Sequence, residues 1–419
     1  SLVTRWNRHQ LRFVWASPEN AMEKAQLTAD ARRRAMRAMY VAATLGDTGM
    51  FMYLSLMVYV FRETFAVNLQ TFGYIQSICA FVQMVCSPLL GRMADLYSAK
   101  AVLLLCAVSG ATAHFLMGIA NGMTVLLISR ATSIFMAFGP GCQMLISSIL
   151  DGPERTAALG RAGLPTSFGL IFGPLISGLL SSQLGQQSTC LVVWTLFALA
   201  GLLVLTSIPA VRAAKKNETT ANGDEQKEET GKRQVLKLCF TGKIPYLLLI
   251  HTFIALPTMM IQISFPVITM DTFGLNQRQN GFVGSFLGIT LTIVNGFVVG
   301  RLSKAYDRST LIKWSAVLGA IAYALMAQCS NIWMFCGVLV PWITSFGILS
   351  SVVVSMATST VPQSHTGTIV GVTTGAFHLA RTVSPIIGAH LVQHTGLPGV
   401  AYAGLLSSLF VCGICFLQL

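Results

Sequence analysis

Of the fifteen acidic residues in the 419-residue chain, Asp47 alone lies inside an apolar run; the others fall in polar connecting segments or termini. Taking a carboxyl out of water favours its neutral form, so a carboxyl in such a setting can take up and release a proton as its access to solvent alternates. Asp47 is therefore the leading candidate for a proton or cation site, with a purely structural hydrogen bond as the other reading. His378 and Arg381 stand three residues apart in a late apolar run, with Gly371, Gly375 and Pro385 close to the same helical stripe. An imidazole there can titrate near neutral pH, and a guanidinium can hold an anionic group or Asp47 itself. His114 and His251 are weaker candidates, because nothing polar accompanies them at helical spacing. Gln76 and Gln83 lie seven apart on one face of another run, while Gln143, Gln262 and Asn295 are single polar residues in further runs. Such side chains either line an otherwise apolar cavity or tie helices together by hydrogen bonds.

The elements that must position these residues follow from composition. Hydrophobic residues make up 53% of the chain and charged residues only 10%, against about a quarter charged in an average soluble domain. Apolar runs of about 20 residues recur, the length a helix needs to cross the hydrocarbon of a bilayer. Twelve are read, over roughly 38–60, 71–92, 100–119, 123–149, 160–182, 188–209, 244–268, 280–300, 310–328, 332–357, 367–391 and 398–418.

The net charge of +13 reports topology and not nucleic acid. Lys and Arg gather in the N-terminal arm and in the 2–3, 4–5, central and 8–9 loops, whereas the opposite side holds Arg62 and Arg278. The positive-inside rule then places both termini in the cytoplasm. Residues 1–37 read as a basic cytoplasmic arm, 38–209 as a first six-helix bundle, 210–243 as a disordered cytoplasmic linker of mixed charge, and 244–419 as a second bundle. The only N-x-S/T site, Asn217-Glu218-Thr219, lies in that linker. It is expected to stay unglycosylated, and a glycan detected at Asn217 by mass spectrometry would reverse the orientation. Most of the ten cysteines lie in apolar runs and read as packing residues, and Cys412 and Cys415 lack the paired ligands of a metal site.

The halves look like copies. Leu90-Gly91-Arg92-Met93 ends the second run and Val299-Gly300-Arg301-Leu302 the eighth; Gly173-Pro174-x-x-Ser177 in the fifth matches Ser384-Pro385-x-x-Gly388 in the eleventh. Both pairs are six spans apart, as internal repeats of transporters require. In the fifth run Ala162, Thr166, Gly169, Gly173 and Ser177 follow helical steps, giving a small-residue ridge against which another helix can slide, with Pro174 permitting a bend. Arg130 in the fourth run needs a cavity or a partner, unless it snorkels to the surface.

The segment from Gly91 through Asp95 to Lys100 resembles the loop 2–3 motif of the major facilitator superfamily, with Leu96 and Ser98 departing from the pattern. Gly160, Gly169, Gly173, Pro174 and Gly178 resemble the antiporter motif of its drug/proton exchangers, with Ser177 in place of a glycine, and Arg130 resembles the intramembrane arginine of the fourth helix. Further stretches from Phe72 to Gln76, Gly139 to Met144 and Glu154 to Arg161 carry the likeness over nearly the whole membrane region. The resemblance implies an all-α membrane protein with twelve transmembrane helices in two pseudo-symmetric six-helix bundles. It implies proton-linked movement of a small lipophilic or cationic organic solute by alternating access.

A monomer in the lipid bilayer is expected, with protons and the solute as its partners. No phosphate-cradling glycine loop, paired metal ligands or nucleophile elbow is present, so neither a cofactor nor an enzymatic activity is expected. A passive uniporter, and a transporter-fold scaffold or receptor, remain as other readings.

Overall fold

The computed structural model describes residues 28–136, 138–211, 242–360 and 366–418, with the side chains of 87, 88, 91, 95, 153, 156 and 366–368 outside that set. The outer part of the basic arm, most of the linker, the surroundings of Gly91 and the side chain of Asp95 thus lie outside the described residues. The rest is helical between short connections: α1 Ala29–Tyr59, α2 Leu69–Leu96, α3 Ala99–Gly118, α4 Met123–Thr132, α5 Phe138–Ile149, α6 Gly152–Arg161, α7 Leu164–Leu184 and α8 Gln186–Ser207. Then follow α9 Ile244–Phe273, α10 Gln277–Ile293, α11 Val299–Ala305, α12 Arg308–Met326, α13 Ile332–Ser359 and α14 Thr366–Gln418.

Local sequence sets many of these limits. The side chains of Ser98, Asn276, Asp307 and Asn331 each accept a backbone N–H at the start of α3, α10, α12 and α13. Thr28 does the same for α1, with Asp30 in the first turn, so this helix begins at Ala29, nine residues before the apolar run. Residues 29–37, read from sequence as arm, are its first turns. The fourth span is not one helix. A tight turn over Ser133–Phe135 separates α4 from α5, and Pro140 and two glycines sit in the first turn of α5.

Eleven described helical segments are long and apolar enough to cross a membrane. The last of them makes two crossings. At 1.5 Å per residue α14 would extend ~80 Å, against a hydrocarbon core of ~30 Å, and it is broken at Gly396, where φ is 64° and ψ −153°. That backbone conformation is open essentially to glycine alone. The spans read at 367–391 and 398–418 are its two arms, and twelve transmembrane helices result. Large side chains such as Phe81, Trp314, Trp333 and Leu417 are exposed, as a lipid-facing surface requires.

The chain divides into two units. The first falls within Ser1–Val60 and Val85–Asn217, and in it α1 packs chiefly on α7 and α8, and α3 on α8. The second falls within Phe61–Met84 and Glu218–Leu419, and in it α9 packs on α14, and α12 on α13 and α14. Spans of equal rank in the two halves therefore choose equivalent partners, as the repeated motifs imply.

The segment Phe61–Met84, expected in the first bundle, groups with the second unit. Arg62 Nη1 donates to both carboxylate oxygens of Asp271 at 2.8 Å. Gln70 Nε2 lies 3.4 Å from His390 Nδ1 and 3.3 Å from His394 Nε2, and Gly73 lies against the Pro385 carbonyl on α14. Because both partners of the Arg62–Asp271 pair are nearly half exposed, its worth is about 0–1 kcal/mol. Arg62→Asp alone is expected to lower thermal stability slightly, and adding Asp271→Arg to restore it; a differential scanning measurement on the single and double variants checks this.

Candidate functional site

The first unit centres on the turn Gly46-Asp47-Thr48-Gly49 of α1. Asp47 is buried at 6% exposure, and its Oδ2 accepts a hydrogen bond of 2.7 Å from Thr166 Oγ1 on α7. The two helices meet backbone to backbone. A Cβ placed on Gly169 would lie 2.7 Å from the Asp47 carbonyl carbon, and one on Gly173 would lie 2.7 Å from Phe51 Cβ and 2.9 Å from Met52 N. The ridge of Thr166, Gly169, Gly173 and buried Ser177 is therefore the surface that brings the hydroxyl to the carboxyl. No cation pairs with Asp47 among the described residues. A carboxyl held by one neutral donor keeps both protonation states within reach, whereas an ion pair would fix it as carboxylate.

Around this turn the unit is built from rings set against glycines. Phe197 of α8 fills the space at Gly49 and Gly110, and Phe138 that at Gly46. His114 stacks on Phe197 with centroids 5.1 Å apart and meets the Tyr53 ring edge-on at 4.8 Å. Its Nδ1 donates to the Gly110 carbonyl at 2.6 Å, while its Nε2 has no hydrogen-bond partner among the described residues. Arg130, at the end of α4, is buried at 9% exposure with its guanidinium 5.1 Å from the Tyr53 ring centroid. Such a contact contributes about 2 kcal/mol when desolvated. Arg130 thus turns inward, onto the Tyr53 ring.

The pattern of the Major Facilitator Superfamily matches residues 39–385, most of the chain. The chain is a member of the major facilitator superfamily. It is 31% identical over 378 residues to solute carrier family 22 member 18 of Mus musculus, covering 89% of this chain and 93% of that protein. It is 22% identical over 325 residues to the class B tetracycline resistance protein of Escherichia coli, covering 77% and 79% of the two chains. The crystal structure of the human organic anion transporter MFSD10 superposes with a TM-score of 0.66 at 16% identity, covering 92% of this chain and 99% of that one. This major facilitator is accordingly a multi-pass membrane transporter, and its relatives are transporters and not enzymes.

The remaining candidates of this major facilitator divide between the units. Gln143 lies on α5 in the first, exposed. Gln76 and Gln83 belong to the part of α2 that groups with the second, and both are partly buried and engaged in interactions. His378 and Arg381 share a face of α14, also in the second unit; His378 meets the adjacent Phe377 ring, and its carbonyl accepts a bond from Thr382. Pro174 is buried within α7. The C-terminal counterpart of the ridge is looser: a Cβ on Gly388 would stand 3.2 Å from Met260, and Ser384 Oγ donates to the Leu256 carbonyl at 2.8 Å. No three His, Cys, Asp or Glu side chains converge on a metal position among the described residues.

Three features escaped sequence reading. His114 has no polar side chain at helical spacing on its own helix, and its ring partners come from α1 and α8 while its hydrogen bond stays within α3. Thr166 was seen as a ridge residue and not as a donor to Asp47. Asp271 lies beyond the apolar run and reads as a loop residue, yet α9 runs on to Phe273 and presents it to Arg62.

Proposed function

We propose that this chain is a secondary active transporter that exchanges protons for a small lipophilic or cationic organic solute, with Asp47 as the proton site. The observation that carries the reading is the buried carboxyl of Asp47 held by Thr166 on the tightly packed ridge of α7. Proton release from Asp47 would change its bond to Thr166, and so would act on the helix contact that must slide for access to alternate. A protonated carboxyl needs no counter-charge, and none is paired with Asp47 among the described residues. Kinship with tetracycline resistance proteins and the fold of an organic anion transporter support an organic solute.

The rest of the proposal follows from the sequence. His378 is a second proton-accepting candidate, Arg381 with Gln76, Gln83 and Gln143 are solute contacts, and Gly91 and Asp95 hold the 2–3 loop. Both termini are cytoplasmic by the distribution of Lys and Arg, the two bundles are joined by the linker 210–243, and the protein works as a monomer.

The test begins with a thermal-shift screen of lipophilic organic cations and anions on the purified chain, because a ligand stabilises the state that binds it. Flux of the best ligand is then measured in proteoliposomes with and without an imposed pH gradient, beside a pH-sensitive dye. Concentrative flux that collapses with a protonophore is the expected result. Flux indifferent to the gradient would mean passive uniport, and a bound ligand that never crosses would mean a receptor or scaffold.

A further inference from the structure

The first turns of α1 carry Arg32, Arg33, Arg34 and Arg37 close to a helix start, where the helix dipole favours negative charge. Ala29, Arg32, Arg33, Met36, Arg37 and Tyr40 follow steps of three and four, so they form one stripe. That stripe is one wall of a cavity of about 640 Å³, whose other wall is Leu150 at the end of the fourth span and Glu154 on α6. Tyr40 is fixed in place by donating its hydroxyl to the Ala158 carbonyl at 3.2 Å, and Arg161 adds its charge beside it. The lining thus sets three guanidinium groups against one carboxylate. Arg33 and Arg37 are exposed and four residues apart, a like-charge spacing that destabilises a helix, and neither forms an ion pair among the described residues.

Size and depth narrow the ligand. A cavity of about 640 Å³ lies within the range of organic ligand pockets and far exceeds a single inorganic phosphate. The charged stripe gives way directly to apolar surface, with Val41 exposed one residue beyond Tyr40, so the cavity sits where polar helix becomes membrane span. That is headgroup depth in a bilayer. The apolar side chains of Met36 and Leu150 suit the non-ionic part of a ligand, and the guanidinium groups suit paired bonds to phosphate oxygens.

We propose that the cavity formed by Arg32, Arg33, Arg37, Tyr40 and Glu154 binds a phosphorylated group carrying several negative charges, of the kind found on inositol phospholipids and on free inositol phosphates. It is independent of the proton reading of Asp47 and uses none of the same residues. Binding neutralises the arginine stripe and stabilises the first turns of α1 against the fourth span and α6.

The experiment uses the full chain in nanodiscs of phosphatidylcholine, alone or with a bisphosphorylated phosphatidylinositol, and in separate arms with soluble inositol trisphosphate or inorganic phosphate. Thermal unfolding and equilibrium binding are read at low and high salt. The phospholipid or the inositol phosphate is expected to raise the unfolding temperature and to bind more weakly at high salt. Arg33→Gln with Arg37→Gln, both at exposed positions, is expected to weaken binding by about tenfold or more. Glu154→Gln, which removes the carboxylate from the described lining, is expected to strengthen it. A response confined to the phospholipid identifies the source as lipid, and an equal response to the soluble compound identifies a free ligand. Absence of binding in every arm, or full binding by the double arginine variant, overturns the proposal, the second outcome because it would assign the anion to other basic residues.

Discussion

Asp47→Asn is expected to abolish proton-driven flux while leaving a folded chain that still binds its solute. Asn retains the size of the side chain and an oxygen that can accept the Thr166 hydroxyl across the present 2.7 Å, so the contact between α1 and α7 survives. What it loses is the capacity to take up a proton. In proteoliposomes the variant should show no concentrative flux and no proton counter-movement, with its unfolding temperature and ligand-induced shift close to those of the parent. A companion variant, Thr166→Ala, keeps the titrating group and removes one hydrogen bond, at a cost of about 1–2 kcal/mol in stability. It should retain driven flux with an altered dependence on pH. Wild-type driven flux by Asp47→Asn would remove Asp47 from the coupling role and move attention to His378.

Gly173→Leu is expected to be the most damaging single change outside the carboxyl. A Cβ there already falls 2.7 Å from Phe51 Cβ and 2.9 Å from Met52 N, so no side-chain rotation relieves it and the two helices must part. Overpacking of this kind costs about 1–3 kcal/mol. Parting α1 from α7 also draws Thr166 away from Asp47, so flux should fall further than the loss of folded protein explains. Gly169→Ala, facing the Asp47 carbonyl itself, should act in the same direction. Turnover per folded molecule, from flux divided by the monodisperse fraction on size-exclusion chromatography, is the measurement; an unchanged value would separate the ridge from transport.

The spans were legible because hydrophobic length is a property of consecutive residues. The same property hid the interruption between α4 and α5, since hydropathy runs on through Phe138-Gly139-Pro140-Gly141, although the proline and glycines were a readable warning. Helix starts set by capping were less visible: Thr28 and Asp30 mark the beginning of α1, yet the arginines after them read as arm. Asp47 stood out as the lone acid in an apolar run, and the ridge of α7 stood out by its spacing. Their meeting through Thr166 did not, because 119 residues separate the two side chains. Arg62 and Asp271, 209 apart, and the rings around His114 have the same character. Contacts along one helix are written in the sequence, and contacts between helices are not.

The single-glycine bend at Gly396 bears on how the chain is made. The eleventh and twelfth spans have no loop between them, so almost no polar segment would need to cross the bilayer for both to enter it. The two arms can therefore leave the ribosome and partition into lipid as one helical hairpin, without a separate translocation step. A side chain at Gly396 would be felt at that moment, as failed insertion of the last two spans, before any question of transport arises.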